Sequence, residues 1–209
     1  QTWSLRTQLD AGVRVLDIRL RHVDDTFVLE HGVVELPYSF DEDVRDVLQA
    51  FLSDNPTETV IMYYRINDLN SGTNTAEETL AESLEAYPDL WLDGSTIPTL
   101  DEARGMVVLP NDMASEDQDE YDLTFNDIST KKGLIRDFYS ASAPVAGTFR
   151  RNFLSGSGIT VYPLTVAAGV GSIFQGTNEV VFEFSAGCLG ITMIDFVGED
   201  AIAHIVSQQ

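Results

Sequence analysis

Short apolar runs alternate along this chain with segments in which apolar residues recur every three or four positions. The run at residues 13–20 is apolar except for charges that include Asp17 and Arg19, so it predicts a strand whose C-terminal half presents polar groups. A second apolar run, at residues 27–34, follows a short polar turn. Together the two runs predict a strand with an adjoining hairpin.

The remainder of the chain alternates between strand and helix patterns. The clearest helix lies within residues 39–56, with Ser39 as its N-cap and Pro56 just past its end. We predict further helices at 76–87, 131–141 and 199–208, and strands at 58–66, 105–110, 148–158 and 190–197. A polar, acidic loop is expected at residues 111–121.

Repeated strand-then-helix units predict an α/β fold with a parallel sheet and helices outside it, either as a barrel or as a doubly wound sheet. No GxGxxG follows the first strand and no GxxxxGK[ST] occurs, which removes the main sequence arguments for an open nucleotide-binding sheet. A chain of 209 residues with 44% hydrophobic content can bury one sizeable core, so we predict a single domain over residues 1–209. Because the numbering begins at Gln1 without a leader, we expect a processed form or a fragment.

The charge balance is strongly acidic, with 34 acidic and 12 basic residues and a formal net charge of −22. Such a charge repels nucleic acid backbones and anionic membrane surfaces, so we expect no nucleic acid partner. Acidic surfaces are typical of salt-adapted, secreted and divalent-cation-rich settings, although solubility alone also accounts for them. We expect a secreted or extracellular protein. Cys188 is the one cysteine in the sequence and is predicted to be a small buried side chain.

Charged residues stand near the C-terminal ends of several predicted strands. The set comprises Asp17, Arg19, Arg65 and Asp195, joined by His31 from the hairpin. Active sites of α/β barrels are built at that end of the strands, so the set predicts a catalytic site. Taken singly, its members have plainer explanations: Asp17 and Arg65 can form a structural ion pair, and a lone histidine is more often structural than catalytic. His22, in a polar turn, and His204, on the last helix, are expected to be ordinary surface or half-buried residues.

Several stretches resemble one known family. QLDAGVRVLDIRLRHVDDTFVLEHGVV, followed by a helix and FLSDNPTETVIM, resembles the X region of bacterial and fungal phosphatidylinositol-specific phospholipases C. IPTLDEARGMVVL, NFLSGSGITVYPLTVA and GITMIDFVGEDAIAHIV resemble later strands and the final helix of that family. The resemblance spans nearly the whole chain and implies a distorted (β/α) barrel of the TIM type.

The resemblance implies phosphodiester cleavage in a phosphatidylinositol-type phospholipid, without metal or cofactor, to diacylglycerol and a cyclic inositol phosphate. A histidine base takes the proton of the inositol 2-hydroxyl, and a histidine acid protonates the departing diacylglycerol oxygen. By this resemblance His31 is the general acid and Arg19 stabilises charge on the phosphoryl oxygens. Asp17 orients these two catalytic side chains. Arg19 also supplies the positive charge that calcium brings to calcium-dependent relatives.

Three further roles follow from the resemblance alone. Asp195 matches the carboxylate that orients the base, Arg65 a basic residue against the inositol ring, and Asp127 an aspartate that binds inositol hydroxyls. Asp195 would therefore belong to the catalytic residues, and Arg65 and Asp127 would bind the substrate.

The sequence departs from the family at the general base, because residues 1–16 contain no histidine where the family's first strand should precede QTWSLRTQ. One explanation is that the barrel is N-terminally incomplete as numbered, and that an N-terminal segment or partner chain completes it. A second is a catalytically inactive relative, a binding or structural protein with an acidic surface. A third is another phosphodiester or phospholipid specificity. Peripheral membrane contact through an aromatic rim around Trp91 also stays open.

Overall fold

A computed structural model describes residues 2–32, 34–141, 145–185 and 189–208. The chain divides into two compact units, an N-terminal unit (Leu5–Met113) and a C-terminal unit (Ala114–Gln209 with Gln1–Ser4). The single domain over residues 1–209 stays a prediction. Cys188, predicted to be buried, lies outside the described residues.

Within the described part of the N-terminal unit, six strands form one mixed sheet in the order β3-β2-β1-β4-β6-β5. The strands are β1 (Val15–Val23), β2 (Thr26–His31), β3 (Val34–Ser39), β4 (Val60–Asp68), β5 (Trp91–Asp93) and β6 (Val107–Leu109). The helical segments are α1 (Leu5–Asp10), a π-helical turn (Asp41–Arg45) that continues into α2 (Asp46–Asp54), α3 (Ala76–Glu85), a 3-10 turn (Pro88–Leu90) and α4 (Leu100–Ala103). Strands β1, β4, β6 and β5 run parallel, and β1, β2 and β3 pair antiparallel. The parallel sheet and the hairpin are therefore both confirmed.

Local sequence explains the elements that surround β1. Asp24 and Asp25 both adopt positive φ angles, 52° and 55°, which is the backbone that a tight two-residue hairpin turn requires. Alternate residues of β1 face the core, where Leu16 and Leu20 are buried against the apolar face of α2. The other face of β1 carries its charged residues, because side chains alternate along a strand. The helix after β3 begins as predicted, since the Ser39 hydroxyl accepts the N–H of Glu42 at 3.1 Å.

In the described part of the C-terminal unit, three parallel strands are ordered β11-β8-β7, beside a short hairpin of β9 and β10. The strands are β7 (Ser115–Gln118), β8 (Phe149–Phe153), β9 (Gly169–Val170), β10 (Phe174–Gln175) and β11 (Ile191–Met193). The helical segments are a 3-10 turn (Phe125–Asp127), α5 (Ile128–Ser140), α6 (Pro163–Ala168), a 3-10 helix (Thr177–Glu183) and α7 (Glu199–Ser207). No helix of the described chain is long and apolar enough to cross a bilayer.

One sequence prediction in this unit is wrong. The loop expected at 111–121 contains strand β7, whose four residues are all polar and so gave no apolar alternation. The strand pairs in parallel with β8, and Arg151 and Asp117 form an ion pair between the two strands. Backbone pairing with a neighbour, rather than burial of its own side chains, makes this segment a strand.

Candidate active site

Asp17 and Arg19 stand two residues apart on the same face of β1. The Arg19 guanidinium donates Nε–H to Asp17 Oδ1 at 2.9 Å and an Nη2–H to Oδ2 at 2.8 Å, a bidentate pair. This geometry uses two of the five N–H donors of the guanidinium. No acceptor of the described residues takes the other three, so Asp17 fixes the group while leaving donors for an anionic ligand.

Arg65 lies directly opposite Arg19 in the parallel pairing of β4 with β1. Its side chain is exposed, and no carboxylate of the described chain lies within ion-pair distance of it. The alternative that Asp17 and Arg65 form a structural ion pair is wrong, because Asp17 binds Arg19. Two guanidinium groups therefore occupy neighbouring positions on adjacent strands of the sheet.

His31 is the last residue of β2, the strand that follows the hairpin turn. The ring is exposed, and no hydrogen bond or ion pair joins it to another described residue. Gly32 follows with a φ of 62°, a left-handed conformation that favours glycine and turns the chain away at the end of the strand. An exposed imidazole at this place is accessible for proton transfer with a bound molecule.

A second ion pair, which was not predicted from the sequence, extends the charged row of β1. Arg21 Nε–H donates to Glu30 Oε2 at 2.9 Å, and the Asn67 amide donates to the same oxygen at 3.3 Å. The Arg21 and Glu30 side chains are only 19% and 10% exposed. The alternation of Asp17, Arg19 and Arg21 along one strand was the signal that could have revealed it.

The expectation for His22 is wrong. Its side chain is fully buried on the core face of β1, where Nδ1 lies 2.8 Å from Asp68 Oδ1 and Nε2 lies 2.9 Å from Thr79 Oγ1. The hydrogen bond from His22 holds the pKa of the Asp68 carboxyl below its usual range. With both ring nitrogens bonded, His22 joins β1, β4 and α3 and cannot reach a substrate.

Asp127 and Asp195 belong to the C-terminal unit. Asp127 accepts the backbone N–H and the hydroxyl of Thr124, at 2.8 and 2.6 Å, through a single oxygen, and these bonds lower the pKa of its carboxyl. Asp195 follows β11 and is half-buried, and its backbone carbonyl accepts the Asn178 amide at 2.9 Å. His204, on α7, is half-buried as expected, with Nε2 2.7 Å from the carbonyl of Phe184.

An aromatic rim around Trp91 was one open route to membrane contact, and the structure places the Trp91 side chain against the core. The Trp91 ring packs against the core of the N-terminal unit, stacks on Phe40 with ring centres 6.5 Å apart, and donates Nε1–H to the carbonyl of Leu84 at 3.1 Å. Tryptophan is amphipathic, and here its polar atom is satisfied inside the fold. In the described part of the chain, no cluster of three or more His, Cys, Asp or Glu side chains is arranged to hold a metal ion.

Known proteins match the chain along its length. The family model of the X domain of phosphatidylinositol-specific phospholipase C matches residues 1–112, more than half of the chain. The chain belongs to this family. The 1-phosphatidylinositol phosphodiesterase of Listeria monocytogenes is 27% identical over 239 aligned positions, covering 99% of this chain and 71% of the relative. That of Staphylococcus aureus (strain Newman) is 36% identical over 115 positions, covering 51% of this chain and 36% of the relative.

Solved phospholipase C structures share the fold. The phosphatidylinositol-specific phospholipase C of Listeria monocytogenes superposes with a TM-score of 0.78 at 24% identity, over 100% of this chain and 83% of that one. A Staphylococcus aureus phosphatidylinositol-specific phospholipase C superposes with a TM-score of 0.75 at 22% identity, over 98% and 82%. These bacterial enzymes are TIM-type barrels, so the predicted fold class is confirmed. Among the residues described for this chain, the strands do not close into a complete barrel.

Proposed function

We propose that this protein cleaves the phosphodiester bond of phosphatidylinositol-type phospholipids, giving diacylglycerol and a cyclic inositol phosphate. The observation that carries the proposal is the placement of Arg65 opposite Arg19. Like charges on neighbouring strands repel each other, and a bound anion between them would relieve the repulsion. The family, and relatives named 1-phosphatidylinositol phosphodiesterase, support a phosphate diester as that anion.

The chemistry assigns one step to each side chain. The inositol 2-hydroxyl loses its proton to a base and forms a new bond to phosphorus, and the bond from phosphorus to the diacylglycerol oxygen breaks. His31 gives its proton to that departing oxygen. The three uncommitted N–H donors of Arg19 bind the phosphoryl oxygens, whose negative charge grows in the transition state. Asp17 keeps the guanidinium in place, so the site does not have to reorganise during the reaction.

We assign recognition of the inositol head group, and orientation of the base, to the remaining predicted residues. Arg65 faces the phosphate or the inositol ring, and Asp127 accepts hydrogen bonds from inositol hydroxyls through the oxygen that Thr124 does not use. Asp127 is ionised at neutral pH, and the hydrogen bonds from Thr124 lower the pKa of its carboxyl further. Asp195 orients the base. Arg19 supplies positive charge at the phosphate, so we propose that the reaction needs no metal ion.

None of the three histidines of this chain can serve as the general base. His31 is the proposed acid, His22 is buried, and His204 is on the outer helix α7. We infer that an N-terminal segment or partner chain supplies it along the free edge of β1. Strand β1 pairs with β2 only over residues 20–23, so no described strand pairs with residues 15–19 on that side. An unpaired edge of this kind is a template for another strand, and here it runs beside Asp17 and Arg19.

We propose peripheral contact with a neutral membrane surface through one segment of the C-terminal unit. Its exposed apolar side chains are Ile159, Tyr162, Leu164, Val170 and Ile173. Exposed apolar side chains concentrated in one segment are typical of an interaction site, and the proposed substrate is itself a membrane lipid. The net charge of −22 repels strongly anionic bilayers, so we expect contact with zwitterionic lipid.

We also propose a secreted or extracellular location, which fractionation of the source cells tests.

The test is incubation of the full chain with phosphatidylinositol in zwitterionic micelles, with the products followed by phosphorus NMR. The expected product is a cyclic inositol phosphate, formed equally with and without a chelator. Phosphatidylcholine alone should not be cleaved. The intact mass of the protein from its source tests for the additional segment.

A second candidate function is favoured by one observation, that no histidine of this chain occupies the position of the base. In that case the protein is a catalytically inactive relative that binds inositol phosphates. Saturable binding of inositol phosphate with no turnover, by protein of the full native mass, would establish it.

A further inference from the structure

The C-terminal end of β2, where His31 lies, has few backbone hydrogen bonds to the rest of the sheet. The β1–β2 pairing ends at Leu20 and Leu29, two residues before His31. Beyond that point β2 pairs only with the edge strand β3, across a register shift between Val28 and Glu30. The proposed acid thus lies on a hairpin end that the central strand does not hold through its backbone.

A side-chain network holds this end instead. Glu30 is the residue before His31. Its Oε2 atom accepts a hydrogen bond from Arg21 Nε on β1 at 2.9 Å and another from Asn67 Nδ2 on β4 at 3.3 Å. On the other side, a nitrogen of Arg21 lies 3.8 Å from a carboxylate oxygen of Glu35 on β3. Four strands of the sheet therefore meet at this ion pair, and its low exposure limits screening by solvent.

We propose that Arg21 and Glu30 are positioning residues for His31, an inference that rests on the proposed function. The ion pair fixes the backbone of Glu30 against β1, and His31 follows it directly in the chain. Loss of the pair releases the strand end and moves the imidazole from the place where it protonates the departing oxygen. Neither residue touches the reacting atoms, so substrate binding through Arg19 and Arg65 stays intact.

The test compares two conservative variants with one matched control. Arg21→Lys removes the Nε–H that Glu30 accepts, and Glu30→Gln removes the negative charge, both at nearly constant size. Glu58→Gln is the control: it removes the charge from another single-contact ion pair, Arg14 Nε to Glu58 Oε2 at 2.8 Å, just before the opposite end of β1. All proteins are checked for folding by circular dichroism and assayed on a soluble, short-chain phosphatidylinositol, and Glu30→Asp replaces any variant that does not fold.

In both test variants, kcat should fall by about tenfold to a hundredfold, the order of loss expected for a misplaced catalytic group. KM should stay within about twofold, because ground-state binding is retained. The double variant should lose no more than the worse single variant, since both act through one interaction. Wild-type kcat in folded Glu30→Gln, or an equal loss in Glu58→Gln, would overturn the inference.

A readout without turnover separates this inference from the proposed function. The ring signals of His31 in carbon–proton NMR spectra should shift in Arg21→Lys and Glu30→Gln and remain unchanged in Glu58→Gln. If the wild type does not cleave phosphatidylinositol, the proposed function fails, and the His31 signals still decide the positioning role. Unchanged His31 signals in both test variants would overturn it.

Discussion

Arg19 on β1 and Arg65 on β4 are direct partners in the parallel register of the sheet, so two guanidinium groups stand side by side on adjacent strands. Asp17 binds Arg19 and leaves Arg65 without a carboxylate among the described residues. A sheet gains nothing in stability from this arrangement, since like charges in neighbouring positions repel. The arrangement is explained by a ligand that carries negative charge.

Arg65→Gln should weaken substrate binding without destabilising the fold. The variant loses one cation facing the phosphate, so KM for phosphatidylinositol should rise by about tenfold, as for loss of one charged hydrogen bond. The urea midpoint should stay the same or rise slightly, because the repulsion with Arg19 is gone. Arg104→Gln is the control for net charge, since Arg104 pairs only with exposed groups away from this site. An equal KM in Arg65→Gln and Arg104→Gln would contradict the assignment of Arg65 to substrate binding.

Asp17→Asn should lower kcat while Arg19 is still present. The amide keeps one acceptor of the bidentate pair and replaces the other with a donor, so the guanidinium loses its fixed orientation. A loss of about tenfold to a thousandfold in kcat is expected for disturbed stabilisation of transition-state charge. Steady-state kinetics at fixed pH measure this loss, and an unchanged kcat would show that Asp17 has no part in catalysis.

Lys131 predicts a pH dependence of stability. It is fully buried on α5, and burial lowers the pKa of its ammonium group to about 8. Between that value and the ordinary lysine range, the unfolded state binds more protons than the folded state, so the free energy of unfolding rises with pH in this window. Below about pH 8 the full cost of a buried charge is present.

The corresponding variant is Lys131→Met, which fills a similar space without a charge. Chemical unfolding at several pH values measures the free energy of unfolding of both proteins. In the variant, this free energy should increase less with pH than in the wild type, because Lys131 no longer contributes to the increase. The difference in stability between the two proteins should shrink as pH increases through the window. A difference that is independent of pH would contradict this account of Lys131.

The exposed segment of the C-terminal unit predicts a separation between membrane binding and chemistry. In Ile159→Ser combined with Ile173→Ser, binding to phosphatidylcholine vesicles should weaken by about tenfold or more, given the apolar area removed. Cleavage of soluble short-chain substrate should be unchanged. Sedimentation with vesicles measures the first quantity. Equal vesicle binding by wild type and variant would reject this surface.

Periodicity in the sequence predicted those elements whose own side chains determine them. The strand β1, its hairpin and the helix that contains Leu48 and Phe51 bury apolar side chains at regular spacing, and all of them formed. Strand β7 was missed because its polar side chains stay outside and its pairing with β8 is set by the rest of the unit.

The candidate site was predictable for residues on one strand and less so across strands. Asp17 and Arg19 are two positions apart, and alternation alone places them on one face. His22 was wrongly expected near the surface because polar neighbours surround it in sequence, whereas its partners Asp68 and Thr79 lie about fifty residues away. The Arg21 to Glu30 pair likewise depends on the register of the hairpin, which the sequence alone did not fix.

The central claim is that His31 donates a proton during cleavage of a phosphatidylinositol phosphodiester. The most direct measurement is the rate of cyclic inositol phosphate release by His31→Ala, with His204→Gln as a control that keeps a donor for the Phe184 carbonyl. The account predicts that His31→Ala loses release and that His204→Gln matches the wild type. Undiminished release by folded His31→Ala would contradict it.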